Sequence, residues 1–390
     1  MIYKYPQLEN DDVFNKNQIK IREIIVEQNK SRESVKLRNR ALKKLEHFTK
    51  SVFRSFFKLV AVFLLRKNVT YVAFTINGGL GDMIRERSVV TEITKMFPKV
   101  VIDIYNKKAY SVLRDIKNIR FFIDVDLIVL TKKRYDIVFT LPLSYQAKVQ
   151  NLVHVKYDSY KLEVNRVLKN LGDYNKCFTL NSKVKLHYVS MQKAKAGVDN
   201  VKDVSLSIYH KKMNLEKFGI TKNIKYITFQ YGFGGRGNND DPKCWRVEYW
   251  EKLLHILKGK LKNTKIIQVG ISDYHFQEVD INAAKKTSLN ELCNILKSSL
   301  LHIDIDGACT HIAKAVGTKS VVIFGPTDAQ YIGYQENINI TSSLCRSCYC
   351  ITDNDYWGKC LLGYDKSLCM DSIAPEFVAE KAVEYLKSLE

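Results

Sequence analysis

The sequence lacks a long apolar run. The apolar stretch at residues 59–65 is far shorter than the roughly 20 residues that span a bilayer as a helix. The first residues are polar and contain no apolar core of a signal peptide. We therefore expect a cytoplasmic protein in which the nine cysteines are reduced and form no disulfide framework.

Two nucleotide-binding signatures are also missing. A G-x-G-x-x-G fingerprint that started at Gly79 and Gly81 would need a third glycine where the chain has Ile84. The G-K-[ST] ending of a P-loop is absent from the same turn. No recognised RNA-binding motif accompanies the basic residues, so we expect no nucleic-acid partner.

Acidic residues are scarce, with 41 Asp and Glu against 62 Lys and Arg, which gives a formal net charge of +21. Such a surface attracts phosphate groups. The surplus is largest in residues 30–67, where phenylalanines stand among the bases. A helix of this composition lies on an anionic inner-membrane surface or packs its phenylalanines on the body of the protein, and the composition leaves both interpretations open.

Strand-like and helix-like segments alternate from residue 69 onward. The predicted strands are residues 71–76, 100–105, 135–142, 224–232, 264–270, 299–306 and 320–326. The predicted helices are residues 83–97, 247–257, 289–296 and a segment through 311–316. This alternation predicts an α/β protein with two Rossmann-like domains whose parallel sheets face a central cleft.

The domain boundaries follow from the same alternation. We place a basic helical extension at residues 1–67 and a first domain at residues 68–220. A second domain occupies residues 221–374 and includes a cysteine-rich loop at 345–369. A C-terminal helix, residues 375–390, follows it.

The loop after the first predicted strand carries three glycines, Gly78, Gly79 and Gly81, and then Asp82. Open α/β sheets bind ligands at the carboxyl ends of their strands, so this loop is expected at the cleft. The start of the following helix favours an ionised carboxylate, and an ionised carboxylate in a cleft can act as a general base. The alternative is that Asp82 only caps the helix.

Five of the nine cysteines lie close together, in residues 345–369. Four of them suit a metal site, and Cys350 is the fifth. Zinc or iron accepts four thiolates, which makes Cys345, Cys348, Cys360 and Cys369 a candidate structural site. The spacing of the second pair is wider than in common zinc ribbons, so a clip without metal is the alternative. No histidine follows that could activate a thiol for catalysis.

Three segments, GGLGD at residues 78–82, DDPKCW at 240–245 and the stretch from IDGACTH to GPTD at 305–328, occur in an order that resembles glycosyltransferase family 9, the bacterial heptosyltransferases. The resemblance covers roughly residues 70–389 and is weak between 143 and 220. It implies the GT-B fold, with a C-terminal helix that crosses back to the first domain. It also implies inverting transfer from ADP-heptose to a lipopolysaccharide, capsule or lipid-linked saccharide, without a metal in catalysis.

The resemblance also implies roles for residues. Asp82 matches the family's general base, and Lys243 matches a lysine that neutralises the donor's diphosphate. The family's D-S-G-x-x-H motif is altered here, because Gly307 replaces its serine and Ala308 its glycine. The loss of a hydroxyl leaves the donor sugar open. The implied donor-binding residues are Lys243, Asp306, Gly307, Ala308, Thr310 and His311, with Gly232 and Asp273 as further candidates.

Several neighbouring residues have two interpretations each. Thr327 and Asp328 contact the donor or only end a strand, and His311 touches the donor or is a core histidine. Arg236, in the glycine-rich loop at residues 231–241, would shield phosphates. Trp245 is expected to pack in the core rather than take part in chemistry.

Three functions other than heptose transfer fit the same pattern. The chain could be a nucleotide-sugar epimerase of the same two-domain fold, or a glycosyltransferase that uses another nucleotide sugar. It could also be a binding protein that retains donor affinity without catalysis, which the glycine at position 307 leaves open.

Overall fold

A computed structural model describes residues 2–4, 13, 16, 17, 19, 20, 23, 69–97, 99–124, 135–141, 152–155, 186–232, 241–272, 274–348 and 360–390. The basic segment 30–67, Arg236, Asp273 and Cys350 lie outside these residues. The roles predicted for them stay predictions.

The first domain is built on a five-stranded sheet. Its elements are β2 (Thr70–Ile76), α1 (Leu80–Met96), β3 (Val100–Tyr105), α2 (Tyr110–Leu113), β4 (Ile119–Ile123), β5 (Ile137–Leu141), β6 (Leu152–Val155) and α3 (Tyr188–Lys195). The strand order is β4-β3-β2-β5-β6, and β6 alone runs antiparallel to its neighbour. The central strands β2 and β3 are buried along most of their length, which is why they read as continuous apolar runs.

The second domain is built on a seven-stranded parallel sheet. Its elements include β1 (Ile2–Lys4), β7 (Tyr226–Gln230), α4 (Val247–Lys260), β8 (Lys265–Val269), β9 (Ile281–Asn282), α5 (Leu289–Lys297), β10 (His302–Ile305), α6 (Ala308–Val316), β11 (Ser320–Phe324), α7 (Ala329–Ile332), β12 (Ile338–Thr341), α8 (Leu368–Asp371) and α9 (Pro375–Lys387). The strand order is β1-β12-β11-β10-β7-β8-β9. All six neighbouring pairs are parallel.

Local sequence explains where the helices of the second domain begin and end. α5 starts at a capping box. The side chain of Ser288 accepts the backbone N–H of Glu291, and the side chain of Glu291 accepts the backbone N–H of Ser288. α6 ends at Gly317, whose φ of 88° is the left-handed conformation that terminates helices. α9 begins with Pro375, which fits the first turn because its missing N–H would have no partner there.

The two domains pack against each other through helices. α1 of the first domain contacts α6 of the second, and α3 packs on α1. One cluster of buried apolar side chains extends from the first sheet through α1 to α5 and α6. The predicted two-domain α/β architecture is therefore present, and the domains share apolar contacts rather than only a linker.

Two features differ from expectation. Residues Ile2–Lys4, within the extension predicted as helical, form an edge strand beside β12 of the second sheet. The expectation that the C-terminal helix crosses back to the first domain is wrong, because the main contacts of α9 are with α4 and β11. An apolar stripe on α9 that includes Val378 and Ala382 is buried there, so the apolar face of this helix packs within the second domain.

No helix in the described part of the chain combines the length and the apolar character that crossing a membrane requires.

Candidate active site

The glycine turn after β2 is shaped around Asp82. Gly78 has a φ of 101°, which side-chain-bearing residues rarely adopt. A Cβ at Gly78 would lie 2.3 Å from Oδ2 of Asp82, so a methyl group cannot fit without moving the carboxylate. Gly79 is the N-cap of α1, and Asp82 is the third residue of that helix.

Both oxygens of Asp82 have partners. Oδ2 accepts the backbone N–H of Gly79 at 2.8 Å, and Oδ1 forms an ion pair with Arg85 one turn along α1. Asp82 thus caps the helix, as the alternative interpretation holds. Its side chain is also 26% exposed, so the carboxylate reaches solvent in the cleft as a base must. The two interpretations of Asp82 are compatible.

Arg85 is a site residue that the sequence analysis missed. Its side chain is 8% exposed, and its guanidinium carbon lies 4.1 Å from the ring centroid of Tyr188 on α3. Tyr188 is fixed in turn, because its hydroxyl donates to Oε1 of Glu86 at 2.5 Å. The three-residue spacing from Asp82 on a helix is the signal that could have found Arg85.

The second half of the site lies where β10 ends and α6 begins. Nζ of Lys243 donates to Oδ2 of Asp306 at 2.7 Å, and both side chains are nearly buried. Burial alone would raise the pKa of Asp306, but the charge and hydrogen bond of Lys243, together with the nearby His311 and Arg85, outweigh it and lower that pKa to about 2. The turn before the lysine is set by Asp241, which accepts the backbone N–H of Lys243 at 2.9 Å.

His311 lies between the two halves. Its Nε2 is 3.9 Å from Oδ1 of Asp306, and its Nδ1 is 2.7 Å from the hydroxyl of Tyr334. Burial and the nearby positive charge of Arg85 hold the pKa of His311 well below its ordinary value. The imidazole is therefore neutral, and it acts as a hydrogen-bonding group rather than as a cation.

Close approach of the two helices brings these halves together. A Cβ at Gly81 of α1 would lie 2.8 Å from Cδ2 of His311 and 3.4 Å from Cα of Ala308 on α6. Only a glycine lets the start of α1 come so near the start of α6. The third glycine of the turn therefore serves the contact between domains, whereas the first serves the carboxylate.

Two predicted donor residues face inward. The hydroxyl of Thr310 donates to Oδ2 of Asp304 and to the carbonyl of Ile305, both at 3.1 Å. A Cβ at Gly307 would lie 3.2 Å from Oδ2 of Asp304 and 3.2 Å from Nε2 of Gln230. A serine at this position would thus direct its hydroxyl toward the interior. Thr310 therefore positions the start of α6. Compared with a serine, the glycine at 307 lacks a contact with Asp304 and Gln230.

The remaining predicted residues are placed by their neighbours. Trp245 is buried, and its indole N–H donates to the carbonyl of Ile373 at 3.1 Å, which is a packing role. Asp328 caps α7 by accepting the N–H groups of Gln330 and Tyr331. Thr327 is buried, and its hydroxyl has no hydrogen-bond partner among the described residues. Gly232 lies two residues after the end of β7 and has a φ of 85°.

The cysteine cluster is partly assembled. Cys345 and Cys369 are buried beside each other, and the hydrogen bond between their thiols, with burial, raises the pKa of Cys369. Cys348 and Cys360 are half-buried and add to that effect. Within the described ranges, no group of three or more His, Cys, Asp or Glu side chains is arranged to hold a metal ion.

Comparison with known proteins identifies the larger part of the second domain. Residues 179–355 match the family model described as glycosyltransferase family 9 (heptosyltransferase). These residues are similar to members of that family. The resemblance seen in the motifs is thereby confirmed, and the matched range contains Lys243, Asp306 and His311.

One curated relative is a heptosyltransferase. Lipopolysaccharide heptosyltransferase 1 of Campylobacter coli is 31% identical over 137 residues, which are 33% of this chain. The chain spans 40% of the length of that relative.

Two solved structures share the fold of this chain. The E. coli ADP-heptose LPS heptosyltransferase II has a TM-score of 0.53 at 14% identity, over 82% of this chain and 99% of that one. The iron-containing dodecameric glycosyltransferase TibC of enterotoxigenic E. coli H10407 has a TM-score of 0.59 at 12% identity, over 84% of this chain and 78% of that one. The GT-B fold is therefore confirmed.

The first prediction concerns the glycine turn. Gly78→Ala should lower the melting temperature more than Gly79→Ala, because only Gly78 has a positive φ and would place a methyl group on Asp82. The expected cost of the Gly78 substitution is about 1–3 kcal/mol. Thermal unfolding of both variants measures this difference, and equal losses would contradict the proposed shape of the turn.

The second prediction concerns acid. The unfolded chain protonates His311 near pH 6.5, whereas the folded chain does so only well below that value. Acidification below pH 6.5 therefore favours unfolding, by about 1.4 kcal/mol per pH unit for one such histidine until the folded pKa is reached. Melting temperatures of the wild type between pH 7.5 and 5.5 measure this loss.

One variant separates His311 from the other titrating groups. His311→Asn should lose stability less steeply with falling pH than the wild type, because the buried imidazole that resists protonation is gone. If His311→Asn keeps the wild-type slope, the neutral buried state assigned to this histidine is incorrect.

Proposed function

We propose that this chain is an inverting glycosyltransferase that moves a heptose from an ADP-linked donor to a saccharide of the bacterial surface. The observation that carries the proposal is the meeting of Asp82, on the first domain, with the Lys243–Asp306 pair of the second domain across the Gly81–His311 contact. In this proposal Asp82 is the base and Lys243 the anion-binding group, and they come from different domains on either side of the contact between α1 and α6, an arrangement that suits inversion.

The reaction then follows from the positions of these groups. Asp82 takes the proton of an acceptor hydroxyl, and the acceptor oxygen attacks the anomeric carbon of the donor from the face opposite the diphosphate. The bond between that carbon and the diphosphate oxygen breaks, and the nucleoside diphosphate leaves with the electron pair. The configuration of the anomeric carbon is inverted.

The leaving diphosphate carries negative charge that the second domain can stabilise. Lys243 supplies an ammonium group, and the start of α6 supplies backbone N–H groups that are suited to phosphate oxygens. Asp306 fixes the lysine in place, because the two groups form a nearly buried ion pair. Thr327 offers a further buried hydroxyl beside this end of the sheet.

Arg85 supports the base from the first domain. Its ion pair with Oδ1 of Asp82 favours the ionised carboxylate, and its contact with the Tyr188 ring holds the guanidinium in place. Arg85 is therefore a positioning residue in this mechanism.

Heptose is the first choice of donor sugar because the matched family model is that of heptosyltransferases and a structural neighbour is named for ADP-heptose. The acceptor is a lipopolysaccharide, capsule or lipid-linked saccharide. Such acceptors are anchored at the inner membrane, and the basic residues 30–67 would hold the enzyme at its anionic cytoplasmic face.

Calorimetric titration with ADP, UDP, GDP and CDP tests the donor site. ADP should bind in preference to the other diphosphates, and Lys243→Ala should weaken it by tenfold or more because a charge-assisted contact is lost. Asp82→Ala should keep ADP affinity and abolish transfer from ADP-heptose. Binding of UDP or GDP in place of ADP would contradict the donor. Conversion of the nucleotide sugar to an epimer without an acceptor would indicate an epimerase.

We further propose that Cys345, Cys348, Cys360 and Cys369 hold a structural zinc or iron ion. The proximity of the four thiols supports it, as does the iron that is named for TibC. The ion would supply no catalytic step and would hold the loop after β12 against the second domain.

Metal content of the purified protein tests this proposal. Mass spectrometry should find about one zinc or iron ion per chain, and Cys348→Ser together with Cys360→Ser should remove it. Cys293→Ser is the control, since this buried cysteine lies in α5 outside the cluster. Wild-type protein without metal would leave the clip as the explanation of the four cysteines.

A further inference from the structure

A cavity opens between the domains, separate from the residues of the proposed transfer site. Its volume is about 750 Å³, within the range of small-molecule sites. One wall is α2 and the residue pair after it, and the floor is the chain segment 209–213 that joins the domains. The other wall is the start of α5. Neither Asp82 nor Lys243 lines it.

The cavity carries positive charge. Arg114, Lys211 and Lys212 line it and are exposed. Its acidic residue, Asp115, is already neutralised, because its two oxygens accept the guanidinium of Arg87 at 2.6 Å each. Neither lysine has an ion-pair partner within the portion of the chain that the structure describes. The cavity is therefore suited to an anion.

Two exposed tyrosines give the cavity an aromatic wall. The guanidinium carbon of Arg114 lies 5.9 Å from the ring centroid of Tyr110 and 5.6 Å from that of Tyr209. Tyr110 is held edge-on against Phe122, with 5.2 Å between the ring centroids, yet it is 53% exposed. Tyr209 is 37% exposed. Exposed tyrosines that hold a guanidinium form a prepared surface rather than a part of the core.

We propose that this cavity binds a phosphorylated sugar. Arg114 and the two lysines would take the phosphate, since a guanidinium pairs with two phosphate oxygens and an ammonium acts as a point charge. The tyrosine rings would pack on the apolar face of the sugar. Neither feature is sufficient alone, because charge suits any anion and an aromatic wall suits any apolar ring.

The ligand follows if the proposed function is correct, because the sugar phosphate would then belong to the acceptor. Arg87 connects the cavity wall to α1, the helix that also contains Asp82. Its guanidinium donates to Asp115 and to the carbonyl of Val112, at the end of α2. Arg87 lies five positions after Asp82 on α1, which is about 7.5 Å along the helix. An acceptor anchored in the cavity is thereby held at a fixed position relative to Asp82.

Titration of the full-length protein with glucose 6-phosphate, inorganic phosphate and glucose tests the proposal, because only the first ligand has both features. Glucose 6-phosphate should bind at least tenfold more tightly than either of the other two. Arg114→Gln and the double variant Lys211→Gln, Lys212→Gln should each weaken it at least fivefold. Tyr110→Leu should weaken glucose 6-phosphate but leave phosphate unchanged.

Lys262→Gln is the matched control, because this exposed lysine precedes β8 and lies at the amino ends of the strands, whereas Ser288 and Asn290 of the cavity follow the carboxyl end of β9. It should leave binding of glucose 6-phosphate unchanged. Added ADP should not displace the sugar phosphate from the wild type.

Several results would overturn the proposal. Equal affinity for phosphate and glucose 6-phosphate would show a simple anion site, and unchanged binding in Arg114→Gln would place the ligand elsewhere. Displacement by ADP would assign the sugar phosphate to the donor site. ADP binding without sugar-phosphate binding would refute this inference alone, whereas the reverse result would refute the donor site and leave the cavity assignment intact.

Discussion

The site depends on the close contact between the start of α1 and the start of α6. Gly81 has no side chain, and for that reason the imidazole of His311 can lie against the backbone of the other domain. Charged groups lie at each helix start. Asp82 and Arg85 are in α1, and Asp306, which lies just before the start of α6, is paired with Lys243. The contact sets the distance between the two halves, so the chemistry of each half depends on a steric condition at one glycine.

Burial at this contact explains how the charges are arranged. A charged group that leaves water needs a partner, and four of the charged side chains at the contact are therefore in two ion pairs. His311 avoids the cost by remaining neutral, and the hydroxyl of Tyr334 satisfies its Nδ1. A diphosphate that entered the cleft would meet cations whose charge is already balanced, so binding would require these pairs to share their hydrogen bonds with the ligand.

The sequence predicted the parallel strands well because buried strands are continuous apolar runs. The strand at Val100–Tyr105 has the predicted limits, and the helix limits differ by a few residues where glycines and caps rather than apolar periodicity decide them. The pattern could not reveal β1, because three residues have no periodicity and their partner is more than 300 residues away. The three-residue spacing from Asp82 could have indicated Arg85. The inward position of residue 307 depends on packing between elements, which spacing along the chain does not encode.

The short strand β1 changes how the two domains are connected. Residues 2–4 belong to the sheet of the second domain, while the first domain begins at β2 and ends before β7. The first domain is therefore inserted into the second in topological terms, and the chain passes between them twice. The two domains are therefore joined by two covalent connections instead of one.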